Sequence, residues 1–89
     1  MDVGIDVMTK EQAYDAIQKT MVEMFDLAPD VVTLEARLME DLGLDSIDAI
    51  DMAAKMHEMT GVRVEDAELK GLRTVHDVAV LLGTLTARA

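Results

Sequence analysis

A serine in an acidic stretch is the feature of this sequence best able to support chemistry. Residues 40–52 contain Ser46, with Asp45 immediately before it and Ile47 after it. A nucleophilic serine of the hydrolase type sits in a glycine-flanked turn, and Ser46 lacks such neighbours. Neither of the two histidines has an evident serine–acid constellation, and we expect both at the surface; they are His57 and His76. The sequence therefore does not predict catalysis by this chain.

The aspartates around the serine raise the question of a calcium site. They are Asp41, Asp45, Asp48 and Asp51. An EF-hand loop places its ligands at alternate residues, and these aspartates are not spaced in that way. The chain also has no cysteine, which excludes disulfides and thiolate metal sites. We therefore predict no dedicated metal site.

Ser46 lies where a turn meets a predicted helix, and the helix cap can be assigned in two ways. If Ser46 is the N-cap, a backbone N–H occupies its hydroxyl and the serine is structural. If Asp45 is the N-cap, Asp48 falls at position N3 of a capping box and Leu44 precedes the cap as a staple residue. We favour the second assignment, which leaves the Ser46 hydroxyl free. Gly43 suits the preceding turn because it can adopt a positive φ angle.

Composition and charge narrow the class of protein and of partner. The chain has 89 residues, of which 51% are hydrophobic, so a single domain spanning residues 1–89 can bury a core without metals. Eighteen acidic and eight basic residues give a net charge of −10, which disfavours nucleic acid and favours a basic patch on another protein. The N-terminus lacks a signal-peptide pattern, and the longest apolar run is too short to span a bilayer. We therefore expect a cytoplasmic protein.

Capping signals and apolar spacing predict an all-α fold, a four-helix bundle with a long first crossover loop and a short third helix. The predicted helices span residues 10–25, 46–59, 65–70 and a fourth from 75 that ends or loosens near Gly83. The apolar crossover should pack across the bundle, with a short helical turn at 35–38. We expect frayed termini at residues 1–8 and 84–89.

The second predicted helix carries two apolar stripes. The core-facing stripe consists of Ala49, Met52, Ala53, Met56 and Met59. The other stripe consists of Ile47, Ile50 and Ala54, interleaved with Asp51 and Glu58. Either both stripes are buried, or the second is an exposed strip flanked by carboxylates that docks a partner.

The sequence of residues 41–47, Asp-Leu-Gly-Leu-Asp-Ser-Ile, resembles the signature of the acyl carrier protein family. The similarity covers residues 9–83 and includes Val64 and residues 72–75. It implies a four-helix carrier in which Ser46, preceded by Asp45, receives 4′-phosphopantetheine from coenzyme A and carries acyl cargo as a thioester. The missing cysteine is consistent with this, because the cofactor would supply the reactive sulfur.

The resemblance also implies partners and the surfaces that meet them. The partners are a phosphopantetheinyl transferase and ketosynthase, acyltransferase, ketoreductase or dehydratase-type enzymes with basic patches. The residues expected to contact them are Asp41, Ile47, Asp48, Ile50, Asp51, Ala54 and Glu58. Methionines repack easily beside small side chains, so we expect an acyl pocket lined by Ala49, Met52, Ala53 and Met56. The free protein should be a monomer.

Two features set this sequence apart from the family pattern. Ala54 is smaller than the bulky residue expected at its position, and Glu65 stands where a proline is frequent. Residues 45–51 look closer to carriers of polyene-type or polyketide pathways than to the fatty-acid carrier. The alternative from another class is a small acidic helical adaptor module, without a prosthetic group, in which Ser46 is only a cap. A peptidyl carrier would place glycine and histidine before the serine.

Overall fold

The computed structural model describes residues 8–89, and its helices follow the capping and apolar signals of the sequence. They are α1 (Lys10–Phe25), a 3₁₀ helix (Pro29–Val31), α2 (Ser46–Thr60), α3 (Asp66–Lys70) and α4 (Val75–Arg88). The described residues form no strand, only an isolated antiparallel bridge between Arg37 and Thr74. The predicted all-α fold with a long crossover and a short third helix is confirmed. No helix within residues 8–89 combines the length and apolar character needed to cross a membrane.

Helices α1 and α4 make the most extensive contact of any two elements and form the centre of the core. Ile17 and Met21 of α1, and Val78, Leu82 and Leu85 of α4, are at most 1% exposed. These residues recur three, four or seven positions apart, which places them on one face of each helix. Burying one such side chain fully contributes about 1.5–3 kcal/mol. This pair of helices is the scaffold against which α2 and the crossover pack.

The crossover, residues 26–45, is fixed to α1 at one end and to the start of α4 at the other. The Tyr14 hydroxyl donates to the Val32 carbonyl at 2.7 Å, and the Gln18 amide donates to the Pro29 carbonyl at 2.9 Å. Backbone N–H groups then join the loop to the start of α4: Leu38 to the Arg73 carbonyl (2.9 Å), Val75 to Ala36 (3.0 Å) and His76 to Leu34 (3.0 Å). The prediction of a packed crossover is confirmed.

One prediction about the crossover is wrong. Residues 35–38 form no helix, because the Ala36 N–H bonds the Thr33 carbonyl in a turn at 3.1 Å and the chain then bridges to Thr74. The only helical turn of the crossover is Pro29–Val31, where proline occupies the first helical position and its missing N–H is harmless.

The C-terminal helix and the last turn of α2 also differ from expectation. Helix α4 continues through Gly83 to Arg88, so residues 84–88 are helical although we expected them to fray. Burial of Leu85, which is 0% exposed, offsets the cost of about 1 kcal/mol for a glycine inside a helix. Met59 is 38% exposed and lies outside the core, because it is in the last turn of α2, just before the helix ends at Gly61. The expectation for residues 1–8 falls almost entirely outside the described residues.

Candidate functional site

A hydrogen-bonded turn leads into α2. The Arg37 backbone amide donates to the Asp41 carboxylate at 2.8 Å, and the Arg37 guanidinium donates to it at 3.3 Å. These backbone and side-chain hydrogen bonds hold the pKa of Asp41 below its ordinary value. Gly43 adopts a φ of 70°, a conformation that other residues rarely take. A Cβ there would meet nothing within 4 Å, so glycine is needed for its backbone angle and not for space.

Asp45 caps α2. One of its oxygens, Oδ1, accepts hydrogen bonds from the Ile47 and Asp48 amides, both at 3.0 Å. The Asp48 carboxylate in turn accepts from the Asp45 amide at 3.0 Å. The capping box with Asp45 as N-cap is therefore confirmed, and Ser46 is the first residue of α2 rather than its cap.

The Ser46 side chain is exposed, and its hydroxyl makes no hydrogen bond to any residue within 8–89. Among the hydroxyls of that part of the chain only Thr33 shares this state, since the other threonines and Tyr14 are all hydrogen-bonded. Ser46 is also the sole serine in the sequence, a compositional signal that the reasoning from motifs did not use. A group attached to Ser46 would therefore break no hydrogen bond that the structure shows.

The second apolar stripe of α2 is exposed rather than buried. Ile47 is 66% exposed and Ile50 is 57% exposed, and Ala54 is also at the surface. The reading in which both stripes are buried is wrong. Asp51 lies between these residues and has no hydrogen bond or ion pair within the described part of the chain.

The other acids predicted on this surface are engaged within the chain. Asp41 pairs with Arg37, Asp48 belongs to the capping box, and Glu58 accepts from the Lys55 ammonium at 3.1 Å. Asp51 is therefore the acid of this set whose charge is least compensated. His57 and His76 are exposed, as expected. Within residues 8–89 there is no group of three or more metal-ligating side chains placed to hold an ion.

Two of the four residues predicted to line an acyl pocket share a cavity. Ala49 and Met52 line an internal space of about 30 Å³, while Ala53 and Met56 are not part of its lining. Met56 is 0% exposed and belongs to the main core, further along α2. A volume of 30 Å³ holds little more than one or two water-sized spheres. An acyl chain would enter this cavity only by displacing its neighbours.

A larger open groove of about 620 Å³ lies beside Ser46. Its apolar residues include Met39, Ile50, Leu69 and Leu72, and its basic residues are Lys70 and Arg73. These residues come from the crossover, from α2 and from the segment around α3. Sequence reasoning missed the groove because no spacing along one element brings these segments together.

Comparison with known sequences identifies a family for this chain. Residues 15–82 match the family described as "Phosphopantetheine attachment site". The fold and this match define a phosphopantetheine-carrying domain.

Named relatives narrow the class further. The chain is 45% identical to "Acyl carrier protein 2" of Ralstonia nicotianae, over 90% of this chain and 99% of that protein. It is 33% identical to an acyl carrier protein of Saccharopolyspora erythraea, over 91% of this chain and 85% of the other. It is also 33% identical to an acyl carrier protein of Thermotoga maritima, over 79% of this chain and 86% of the other.

This chain belongs to the acyl carrier protein family, and its cofactor is 4′-phosphopantetheine. Members of that family are carriers rather than enzymes. The resemblance noted in the sequence is confirmed, and the adaptor without a prosthetic group loses its support. The residues present fit the group, since an exposed, unbonded hydroxyl lies at a helix N-terminus, where an attached phosphate is favoured.

Proposed function

We propose that Ser46 carries the 4′-phosphopantetheine and that the protein delivers acyl thioesters to enzymes of fatty-acid or polyketide/polyene-type synthesis. The observation that carries this proposal is the free, exposed Ser46 hydroxyl directly after the Asp45 cap. Were the serine the cap, its oxygen would be engaged with a backbone amide and poorly available. The family match supplies the cofactor, and the capping geometry supplies the candidate residue.

The residues next to Ser46 position the attachment point and do not react themselves. Asp45 occupies two of the free amides at the start of α2, those of Ile47 and Asp48. A phosphodiester on Ser46 would therefore feel the positive end of the helix, worth about 0.3–1 kcal/mol at an exposed site, without capturing these donors. The group supplies a thiol, which the chain itself lacks. Such an arm stays anchored but free to reach into a partner enzyme.

The partners that fit this carrier are a phosphopantetheinyl transferase and enzymes of the ketosynthase, acyltransferase, ketoreductase or dehydratase type. The exposed Ile47, Ile50 and Ala54 provide apolar contact, and Asp51 provides an uncompensated charge for a basic patch. The net charge of −10 would speed the approach of such an enzyme at low salt. Residues 45–51 favour a polyketide or polyene-type pathway over housekeeping fatty-acid synthesis.

The first experiment measures attachment of phosphopantetheine to the protein. Incubation with coenzyme A and a phosphopantetheinyl transferase should add one phosphopantetheine mass to the wild-type protein and none to Ser46→Ala. The loaded protein is then offered to two reconstituted sets of acyltransferase and ketosynthase, one from fatty-acid and one from polyketide synthesis. Faster acylation and condensation with the polyketide set would support the pathway proposed here. Faster turnover with the fatty-acid set would overturn that part alone.

The acyl pocket is the second element of the proposal. The cavity lined by Ala49 and Met52 lies beside the N-terminus of α2, because Leu44, Asp45 and Asp48 line it as well. Unbranched methionine side chains repack at low cost, which allows such a space to expand. Each buried methylene of cargo would then contribute up to about 0.8 kcal/mol, less the cost of opening the core.

A further inference from the structure

A second open groove, of about 330 Å³, lies between the start of α1 and the last turns of α4. Its small and apolar lining residues include Ala13 of α1 and Ala79, Val80, Gly83 and Ala87 of α4. Ala79, Gly83 and Ala87 recur every four positions, which places them along one face of the helix. Val80 is 49% exposed. The groove shares no lining residue with the two cavities at the N-terminus of α2, so it is a separate feature of the surface.

Gly83 is the residue of this groove that the described packing does not explain. It lies in the interior of α4, where glycine is among the least favourable residues. A Cβ at this position would meet nothing within 4 Å, and Gly83 does not have a positive φ angle that would call for glycine. Glycine also serves where another segment must approach the backbone closely. The groove therefore has room for a segment lying against Gly83.

The chain enters the groove at Met8. This residue precedes Thr9, the N-cap of α1, and it is partly buried against the core and lines the groove. Met8 and Ala13 occupy the two positions of a hydrophobic staple, which fixes the direction from which a chain enters its helix. The Thr9 backbone is extended, with φ −72° and ψ 168°. Residue 7 is therefore joined to the described chain at the edge of the groove.

The sequence of residues 3–7 suits an apolar groove. Val3, Ile5 and Val7 alternate with Gly4 and Asp6, a pattern typical of an extended segment with one apolar side. Five extended residues span about 16 Å at roughly 3.3 Å each. Along α4, residues 79–87 cover about 12 Å at roughly 1.5 Å each. The segment is therefore long enough to span the groove.

Charge favours this segment over a second copy of the chain. Lys10 lines the groove at the first position of α1, where the helix dipole disfavours a cation, and it forms no ion pair within residues 8–89. Asp6 lies four positions before Lys10 and would supply the missing negative charge. A second copy would bring a net charge of −10 against an equal charge, which opposes association.

We propose that residues 3–7 bind in the groove between α1 and α4 of their own chain. The segment lies extended, with the side chain of Ile5 against Gly83 and Val80 and with Asp6 beside Lys10. The alternative is a frayed end before Met8. This inference is independent of the proposed attachment at Ser46, because the groove and the attachment point share no residue.

The direct test is NMR of the full chain with labelled methyl groups. We expect nuclear Overhauser effects from the Ile5 methyl groups to Val80 and Ala87. A sample that mixes labelled and unlabelled protein separates contacts within one chain from contacts between two. Random-coil shifts at Ile5 without these effects would show a frayed end and overturn the proposal. Contacts only between chains, with a dimer in sedimentation, would show that a second copy occupies the groove and would also overturn it.

Melting temperatures of variants give a second test. In an empty groove, Gly83→Ala should raise the melting temperature by about 4–8 °C, the shift expected when a helix glycine becomes alanine in a domain of this size. In the wild-type background we expect less than half this rise, or a fall, because the new Cβ displaces Ile5. In the Ile5→Gln background the full rise should return.

The matched control makes the same substitution elsewhere. Ile47→Gln replaces an exposed isoleucine of α2 that does not line this groove, so it should leave the effect of Gly83→Ala as in the wild type. Ile5→Gln and Gly83→Ala should each still gain the phosphopantetheine mass, which separates this inference from the function. If Gly83→Ala raises the melting temperature equally in the wild-type and Ile5→Gln backgrounds, the groove is empty and the proposal is overturned.

Discussion

Removal of the Asp45 carboxylate tests the capping geometry on which the free serine depends. Asp45→Ala deletes two charge-assisted hydrogen bonds at 3.0 Å, to the Ile47 and Asp48 amides. Replacing an N-cap aspartate by alanine costs about 0.5–2 kcal/mol, and loss of the charge near the helix N-terminus costs up to about 1 kcal/mol more. We expect a loss of about 1–2 kcal/mol, because the site is exposed and the two effects overlap.

The assay is urea unfolding followed by circular dichroism, with thermal melting as a second readout. A loss of about 1 kcal/mol lowers the melting temperature of a domain of this size by about 4–8 °C. Asp45→Asn is the matched control, because asparagine caps nearly as well as aspartate. Ser46→Ala removes no hydrogen bond and should change the stability by less than about 0.5 kcal/mol.

The contrast between these variants decides the assignment. If Ser46→Ala destabilises the protein as much as Asp45→Ala, the serine is the cap and its hydroxyl is engaged in solution. The Ser46 hydroxyl would then not be free for modification, whatever the family match.

Three further predictions follow from charge and packing. Asp51→Lys should slow transferase loading more than Glu11→Lys. Rising salt should reduce the difference between the two variants, because the Debye length falls from about 10 Å at 0.1 M to 3 Å at 1 M. Equal effects of the two substitutions would mean that only the net charge of the protein matters. The Arg88 guanidinium holds the pKa of Glu68 below its ordinary value, so Arg88→Ala should raise that pKa by NMR titration. The Arg88–Glu68 pair stabilises the fold above the unfolded-state pKa of Glu68, and this stabilisation is lost as the pH falls through the lower folded-state pKa. An unchanged Glu68 pKa in Arg88→Ala would show that the two side chains do not pair in solution. A medium-length saturated acyl group on the phosphopantetheine arm should raise the melting temperature above that of the unacylated protein. Ala49→Leu should abolish this rise by filling the cavity. If acylation does not raise the melting temperature of the wild-type protein, the acyl chain does not bind in this cavity.

Local hydrogen-bond chemistry explains why the helix starts could be predicted. The capping boxes at Thr9, Asp45 and Thr74 each depend on residues within three positions of one another. A single sequence window therefore contains everything needed to predict them.

Features that depend on distant residues could not be predicted in this way. The helix continues past Gly83 because Leu85 is buried in a core built from other elements. The crossover has no helix at 35–38 because it pairs with residues 73–76, nearly forty positions further along the chain. The groove beside Ser46 has the same origin, since its walls come from three separate segments.

The most direct test of the central claim is to locate the phosphopantetheine on the chain. Tandem mass spectrometry of peptides from the loaded protein should place the whole added mass on Ser46, the one serine present. Ser46→Ala should fold with near wild-type stability and gain no mass. Modification of Thr33, the other hydroxyl without a hydrogen bond in the described residues, or a mass gain that persists in Ser46→Ala, would contradict the assignment.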